Sequence, residues 1–277
     1  MNRLKATNSV PFANRDTAPG TGTPQYATNG NPQTGTPATI WPAYMFNMIM
    51  DELMAVIAAA GLTPNDTDWT QLLQALFAVP GKNVSRFTSS GTFTVPAGVR
   101  KVRVTCVGGG GGGAGCTPSG STYNSSAGGG AGGAAIGIYT VTPGQPVAVT
   151  VGAGGTGGVA ANGAGTQGGT SSFGAFCSAT GGGFGFWQTA TTSPGGAGGS
   201  ATGGTILNAT GGFGGDGVGT ATPIPSGYGG TSIFGGSGRS AINGNIGGQA
   251  PGAGGGGSYQ TSGPGGDGAD GIVIVEW

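Results

Sequence analysis

The chain has 277 residues, of which 68 are glycine, with nine basic and nine acidic side chains and no histidine. So sparse and balanced a charge excludes the electrostatic grip on phosphates that a nucleic-acid partner requires, and the missing histidine removes the commonest general base and transition-metal ligand together. Only 8 of the glycines precede residue 101, so about one residue in three of the remaining 177 is glycine and the chain consists of two unlike pieces.

Residues 1–40, with "RDTAPGTGTPQYATNGNPQTGTPAT", are too polar to form a core and read as an extended attachment arm. Residues 41–82 read as a helical neck. Phe46, Ile49, Leu53, Val56 and Ala60 recur at helical spacing, and Gly61 stops that helix. Asp66 or Asp68 can cap a second helix with the apolar face Trp69, Leu72, Leu73, Leu76 and Phe77. The first helix is apolar over more of its circumference than one short partner covers. Oligomerisation through Phe46, Ile49, Leu53 and Val56 is therefore expected, with two, three or four chains permitted by the helices alone.

From residue 85 the period changes to two. In "KVRVTCV", Val102, Val104 and Cys106 oppose Lys101, Arg103 and Thr105. "AAIGIYTV" and "QPVAVTVG" flank a Thr142-Pro143-Gly144 turn, "TSSFGAFCSAT" is a further strand candidate, and "GIVIVEW" is an apolar last strand expected to pair with residues 101–107. The fold class is thus mainly β, with residues 85–277 forming an antiparallel β-sandwich-like head interleaved with glycine-rich stretches. Cys106, Cys116 and Cys177 read as reduced small hydrophobes, neither a disulfide framework nor a CxxC metal site. No run reaches the length of a membrane span, and the start has no apolar signal-like region.

Ordering a glycine costs roughly 0.5–1 kcal/mol more than ordering an alanine, so these glycines must supply something that only a missing Cβ permits. Collagen is excluded, because "GGGGGGAG" and "GAGGTGGVAANGAG" break its strict three-residue register. The one Gly-Lys pair, Gly81-Lys82, precedes asparagine and makes no phosphate-binding P-loop. "GGFGGDGVG" from Gly211 and "GGDGADGIV" from Gly265 match a calcium nonapeptide but lie too far apart to stack as tandem turns. Their aspartates read as turn formers, and neither a metal nor a cofactor is expected. The remaining reading is polyglycine-II-like: extended helices of three residues per turn that approach until backbone groups bond between neighbours in several directions.

Two stretches carry a resemblance. "GTPQYATNGNPQTGTPATIWPAYMFNMIMDELMAVIAAAGLTPNDTDWTQLLQALFAV" resembles the N-terminal segment of tail fibre proteins of tailed bacteriophages. "FTSSGTFTVPAGVRKVRVTCVGGGGGGAG", with the terminal "DGADGIVIVEW", resembles the glycine-rich domain at the ends of such fibres. The resemblance implies a homotrimer in the virion tail fibre, assembled in the host cytoplasm. Its arm would be held by phage tail or baseplate proteins, and its head would touch a host surface receptor: a pilus, a polysaccharide or an outer-membrane protein. The chain departs from longer fibres in having almost no shaft and no recognisable chaperone segment.

The functional expectation is therefore adhesion without chemistry, and not an enzyme. The close carboxylates Asp267 and Asp270 lie in a turn-like "GDGADG", unlike a glycosidase pair around a cleft. The alternative is a purely structural baseplate or fibre-tip component without receptor binding. Between the glycine runs, "CTPSGSTYNSSA", "FGFWQTATTSP", "VGTATPIPSGYGG" and "GSYQTSGP" mix aromatics with small polar residues, the composition of a binding surface. The candidate receptor-binding residues are Tyr123, Trp187, Gln188, Tyr228 and Tyr259.

Overall fold

The computed structural model describes residues 11–15, 32–35, 37–38, 41, 43–65, 67–78, 83–117, 125–161, 163–187, 192–218, 227–242, 246–259 and 262–277. The chain divides into two compact units, Met1–Asn83 and Val84–Trp277.

In the first unit a short 3-10 turn, Phe12–Asn14, precedes α1 (Ala43–Ala59) and α2 (Gln71–Ala78). Arg15 Nε lies 3.5 Å from Asp51 of α1. Gly61 closes α1 with φ +73°, and the N–H groups of Gly61 and Leu62 reach back to the carbonyls of Ala58 and Ile57. Asp68 accepts the backbone N–H and the hydroxyl of Thr70 and the side-chain amide of Gln74, bonds that hold its carboxyl below the usual range. Asp66 lies outside the described residues.

The helices meet through Ile57, Ala60 and Ala75, with Leu62 against them. Gln71 is buried beside this contact, donating to the Thr63 carbonyl and accepting from the Asn65 N–H. The face of α2 turned to α1 is thus Gln71 and Ala75, and not its apolar face of Trp69 and leucines. A small alanine lets the helices close up, and the glutamine amide satisfies the interhelical loop. Trp69 is 93% exposed, and Leu72, Leu73 and Leu76 are exposed with it.

The second unit is mainly β, and its strands pair antiparallel. One sheet has the order β1 (Val84–Phe87), β12 (Ile272–Glu276), β3 (Lys101–Val107), β4 (Ala134–Thr140), β10 (Leu207–Ala209). The other has the order β2 (Gly91–Thr94), β5 (Pro146–Thr150), β6 (Ser171–Phe173), β7 (Cys177–Ala179), β9 (Ala201–Thr202). A two-stranded ribbon joins β8 (Thr192–Ser193) to β11 (Gly217–Val218). β12 pairs with β3 from Ile272 opposite Val107 to Glu276 opposite Arg103, and with β1 on its other side. The stretch read as one strand, "TSSFGAFCSAT", is a hairpin: Gly174 takes φ +50° and turns β6 into β7.

The two five-stranded sheets share one core. Val102, Val104 and Cys106 point into it as their alternation required, and meet Tyr139, Val147, Val149, Phe173, Val273 and Val275. Trp277 closes one end against Phe93, ring centroids 5.2 Å apart.

Candidate functional site

The strands do not end in ordinary loops. They run on into extended segments, which we number γ1 (108–116), γ2 (125–133), γ3 (152–159), γ4 (163–170), γ5 (180–187), γ6 (194–200), γ7 (210–216), γ8 (227–231), γ9 (236–241), γ10 (246–250), γ11 (252–258) and γ12 (263–271). The hydrogen bonds of γ1 show the rule. Gly108, Gly111 and Ala114 donate to the carbonyls of Gly133, Gly130 and Ala127 in γ2. Gly109, Gly112 and Gly115 donate to Gly169, Thr166 and Gly163 in γ4, and Gly110, Gly113 and Cys116 to Ala269, Gly266 and Gly263 in γ12. The partner changes at each residue and returns every third. The carbonyls of γ1 meanwhile accept from Gly155 and Gly158 of γ3, Gly182 and Gly185 of γ5, and Gly255 and Ser258 of γ11. Six neighbours surround it, three antiparallel and three parallel.

By the same bonds γ2 touches γ1, γ5, γ6, γ7, γ8 and γ11, and γ11 touches γ1, γ2, γ8, γ9, γ10 and γ12. The result is a hexagonal lattice with three interior segments. Its first two layers continue the sheets: γ12, γ1, γ2 and γ7 extend β12, β3, β4 and β10, while γ3 to γ6 adjoin β5, β6, β7 and β9. The third layer, γ8 to γ11, adjoins no strand of these two sheets. A Cβ built on Gly111 would overlap the carbonyl of Gly183, which is why the interior segments are nearly all glycine, with only small side chains such as Ala114, Ala127, Ala131 and Ala253 buried among them.

The periphery obeys a looser rule. Ala153, Thr156 and Val159 of γ3 are exposed while the glycines between them are turned inward. The same holds for Pro194, Ala197 and Ser200 of γ6 and for Thr210, Phe213 and Asp216 of γ7, and γ12 exposes Pro264, Asp267 and Asp270 likewise, with Ala269 in place of one inner glycine. A three-residue repeat puts one position in three on the outside, and in γ3, γ6 and γ7 only that position carries a side chain. This signal lay in the sequence as glycine-glycine-X runs, and sequence reasoning passed over it after excluding collagen.

Because the segments alternate in direction, their ends away from the sheets lie at a common level. Ser125 donates to the Val218 carbonyl, Ser126 to Ser258, Ala127 to Phe186, Tyr259 to Ala241 and Gly257 to Gly227. Thr117 and Ser262 both donate their hydroxyls to the Ala160 carbonyl. Thr117, Ser125, Phe186, Val218, Gly227, Ala241, Tyr259 and Ser262 therefore lie at this one end.

Of the sequence-predicted receptor residues, Tyr123 and Gln188 lie outside the described residues. The backbone brings Trp187, Tyr228 and Tyr259 to the same end. Trp187 follows Phe186 on γ5, whose ring lies 4.5 Å from that of Phe184, and its buried Nε1 has no hydrogen-bond partner in the structure. Tyr228 is 52% exposed beside γ2, and Tyr259, half-buried, bridges to Ser125. Phe186 at 41% exposure is an aromatic of this end that the sequence-based candidate set omitted.

Cys106, Cys116 and Cys177 are buried thiols outside any disulfide. Cys177 lies against Cys106 and Tyr139, and a Cys177 thiolate would accept the Cys106 S–H and the Tyr139 O–H, so the first proton of this cluster leaves from Cys177 while Cys106 and Tyr139 are pushed up. Burial pushes the Cys116 thiol up as well. Among the described residues no three His, Cys, Asp or Glu side chains gather as metal ligands, and no helix is long and apolar enough to cross a membrane.

No curated protein matches the chain. The family model described as a glycine-rich domain matches residues 88–277, from just after β1 through all twelve glycine-lattice segments to the last residue, and the chain therefore belongs to the glycine-rich domain family.

Proposed function

We propose that the protein is a homotrimeric tail fibre of a tailed bacteriophage. In this reading the N-terminal arm attaches it to tail or baseplate proteins, and its polyglycine-II-like, β-sandwich head adheres to a bacterial surface receptor without chemistry. The observation that carries the reading is the convergence of the segment ends at Thr117, Ser125, Phe186, Val218, Gly227 and Tyr259 at one end of a block held by backbone hydrogen bonds. Connections on a rigid frame can vary in sequence without disturbing it, the arrangement that binding tips use. The aromatics Trp187, Tyr228 and Tyr259 beside small polar residues supply contact area at low entropy cost.

Support for an oligomeric neck comes from α1. Phe46, Ile49 and Val56 are 45%, 46% and 38% exposed, more apolar surface than the contact with α2 covers. Supported by the sequence resemblance are the trimer number, the virion location and the attachment of the arm.

The test is adsorption of the purified full-length protein to host cells and to adsorption-resistant mutants. Saturable binding to the host, lost on the mutants, is expected. Equal absence of binding to both, from protein that is present in virions, would make it a structural baseplate or tip component instead.

A further inference from the structure

A lattice of backbone hydrogen bonds has an edge problem like that of a β-sheet: outer segments carry N–H and C=O groups that in the interior would join another glycine segment. In this head side chains occupy several of them. Asp270 Oδ1 accepts the N–H of Gly154 at 2.7 Å and Asp267 Oδ1 that of Gly157 at 2.7 Å. Two donors three residues apart on γ3 thus meet two carboxylates three residues apart on γ12. Across the lattice Asp216 of γ7 accepts the N–H of Gly195 in γ6 at 2.8 Å. These are all the aspartates of residues 84–277.

Hydroxyls act in the same way. Thr166 Oγ1 accepts the N–H of Thr156 at 2.7 Å, and Thr180 Oγ1 that of Ser200 at 2.8 Å. On the third layer Gln249 Nε2 donates to the Gly247 carbonyl at 2.8 Å. The outward positions next to these groups, Ala153, Thr156, Val159, Ala197 and Pro264, hold a further segment away by their side chains, since an added segment must come as close as the glycine pairs within.

We infer that Asp216, Asp267 and Asp270, with the outward side chains around them, terminate the lattice against a glycine segment from a second copy of this chain, in the way that charges and prolines blunt the edge strands of sheets. A second copy is the fitting occupant, because its own rim presents the same three-residue spacing of donors and acceptors. The inference concerns the sides of the lattice and is independent of receptor binding at its end.

The experiment is sedimentation velocity of the full chain over a wide concentration range, each variant compared with the wild-type assembly. D267G/D270G removes two caps and two Cβ atoms and frees the N–H groups of Gly154 and Gly157. It is expected to associate beyond the wild-type state, at least about tenfold more strongly. D267N/D270N keeps an oxygen that accepts the same N–H groups and is expected to sediment as wild type. D216G, which frees Gly195 at the other rim, is expected to behave as the first variant does. Folded glycine variants that sediment as wild type would overturn the inference, as would an asparagine variant that associates equally, since charge repulsion would then be the cause. Failure of both glycine variants to fold would make the caps structural and overturn it too.

Discussion

Gly111 donates its N–H to the carbonyl of Gly130 at 2.8 Å, which sets γ1 antiparallel to γ2 at the centre of the lattice. Neither residue can carry a side chain, for a Cβ on Gly111 would overlap the Gly183 carbonyl and one on Gly130 the Ala197 carbonyl. Gly111→Ala is expected to cost at least about 3 kcal/mol, since rigid backbone and not a flexible side chain must move. Thr156→Ala on the exposed rim is expected to stay within about 1 kcal/mol of wild type. Denaturant unfolding of the two variants checks the contrast.

β12 is an interior strand, bonded to β3 on one side and β1 on the other, and it brings Val273 and Val275 to the shared core. Removing residues 271–277 is expected to leave no soluble, protease-resistant head, because two strands lose their neighbour and the core loses two buried valines. A truncated protein that melts as wild type would refute this.

Replacing Ile49 and Leu53 by aspartate is expected to give monomers, since unpaired carboxylates buried in an interface cost several kcal/mol each. Light scattering decides. A trimer in this variant would assign assembly to the head.

Tyr139 donates to the Gly203 carbonyl at 3.0 Å, and burial, together with Cys177, pushes its phenol well above the ordinary tyrosine value. A phenol raised in the folded state contributes stability that is complete below the unfolded value and is lost as pH rises beyond it. The head should therefore lose stability from about pH 10 upward, the ordinary range of tyrosine. Tyr139→Phe is expected to cost about 1 kcal/mol at neutral pH, through the lost hydrogen bond, while flattening the alkaline limb. Thermal melts of both proteins from pH 7 to 11 measure the difference.

Alanine at Trp187 and Tyr228 should leave assembly stability within about 1 kcal/mol while weakening host adsorption, and adsorption should depend little on salt because this end is nearly neutral. Normal adsorption by both variants, or failure of both to fold, would move the receptor surface elsewhere.

The strands were legible because a two-residue alternation is a local signal: Val102, Val104 and Cys106 had only to share a face. The helical hairpin was half legible. Its apolar residues were found, but the contact that Ala75 and Gln71 make with α1 was not, because close approach favours a small residue that stands outside the apolar periodicity. The lattice was legible in kind and not in arrangement. Which segment lies beside γ1 depends on pairings such as Gly110 with Ala269, and nothing near Gly110 in the chain records them. What could have been read was the layer: unbroken runs such as Gly108–Gly113 inside, and glycine-glycine-X runs such as 152–159 at the rim.

The lattice also bears on temperature. Its interior is peptide group against peptide group, with few carbons beyond the backbone, and burial of polar surface changes the heat capacity in the opposite sense to burial of apolar surface. Unfolding this head should therefore absorb less additional heat capacity than the roughly 12–15 cal/mol/K per residue of ordinary globular proteins. A smaller value flattens the curve of stability against temperature, so the head is expected to lose little of its stability on cooling and to stay folded over a wide thermal range.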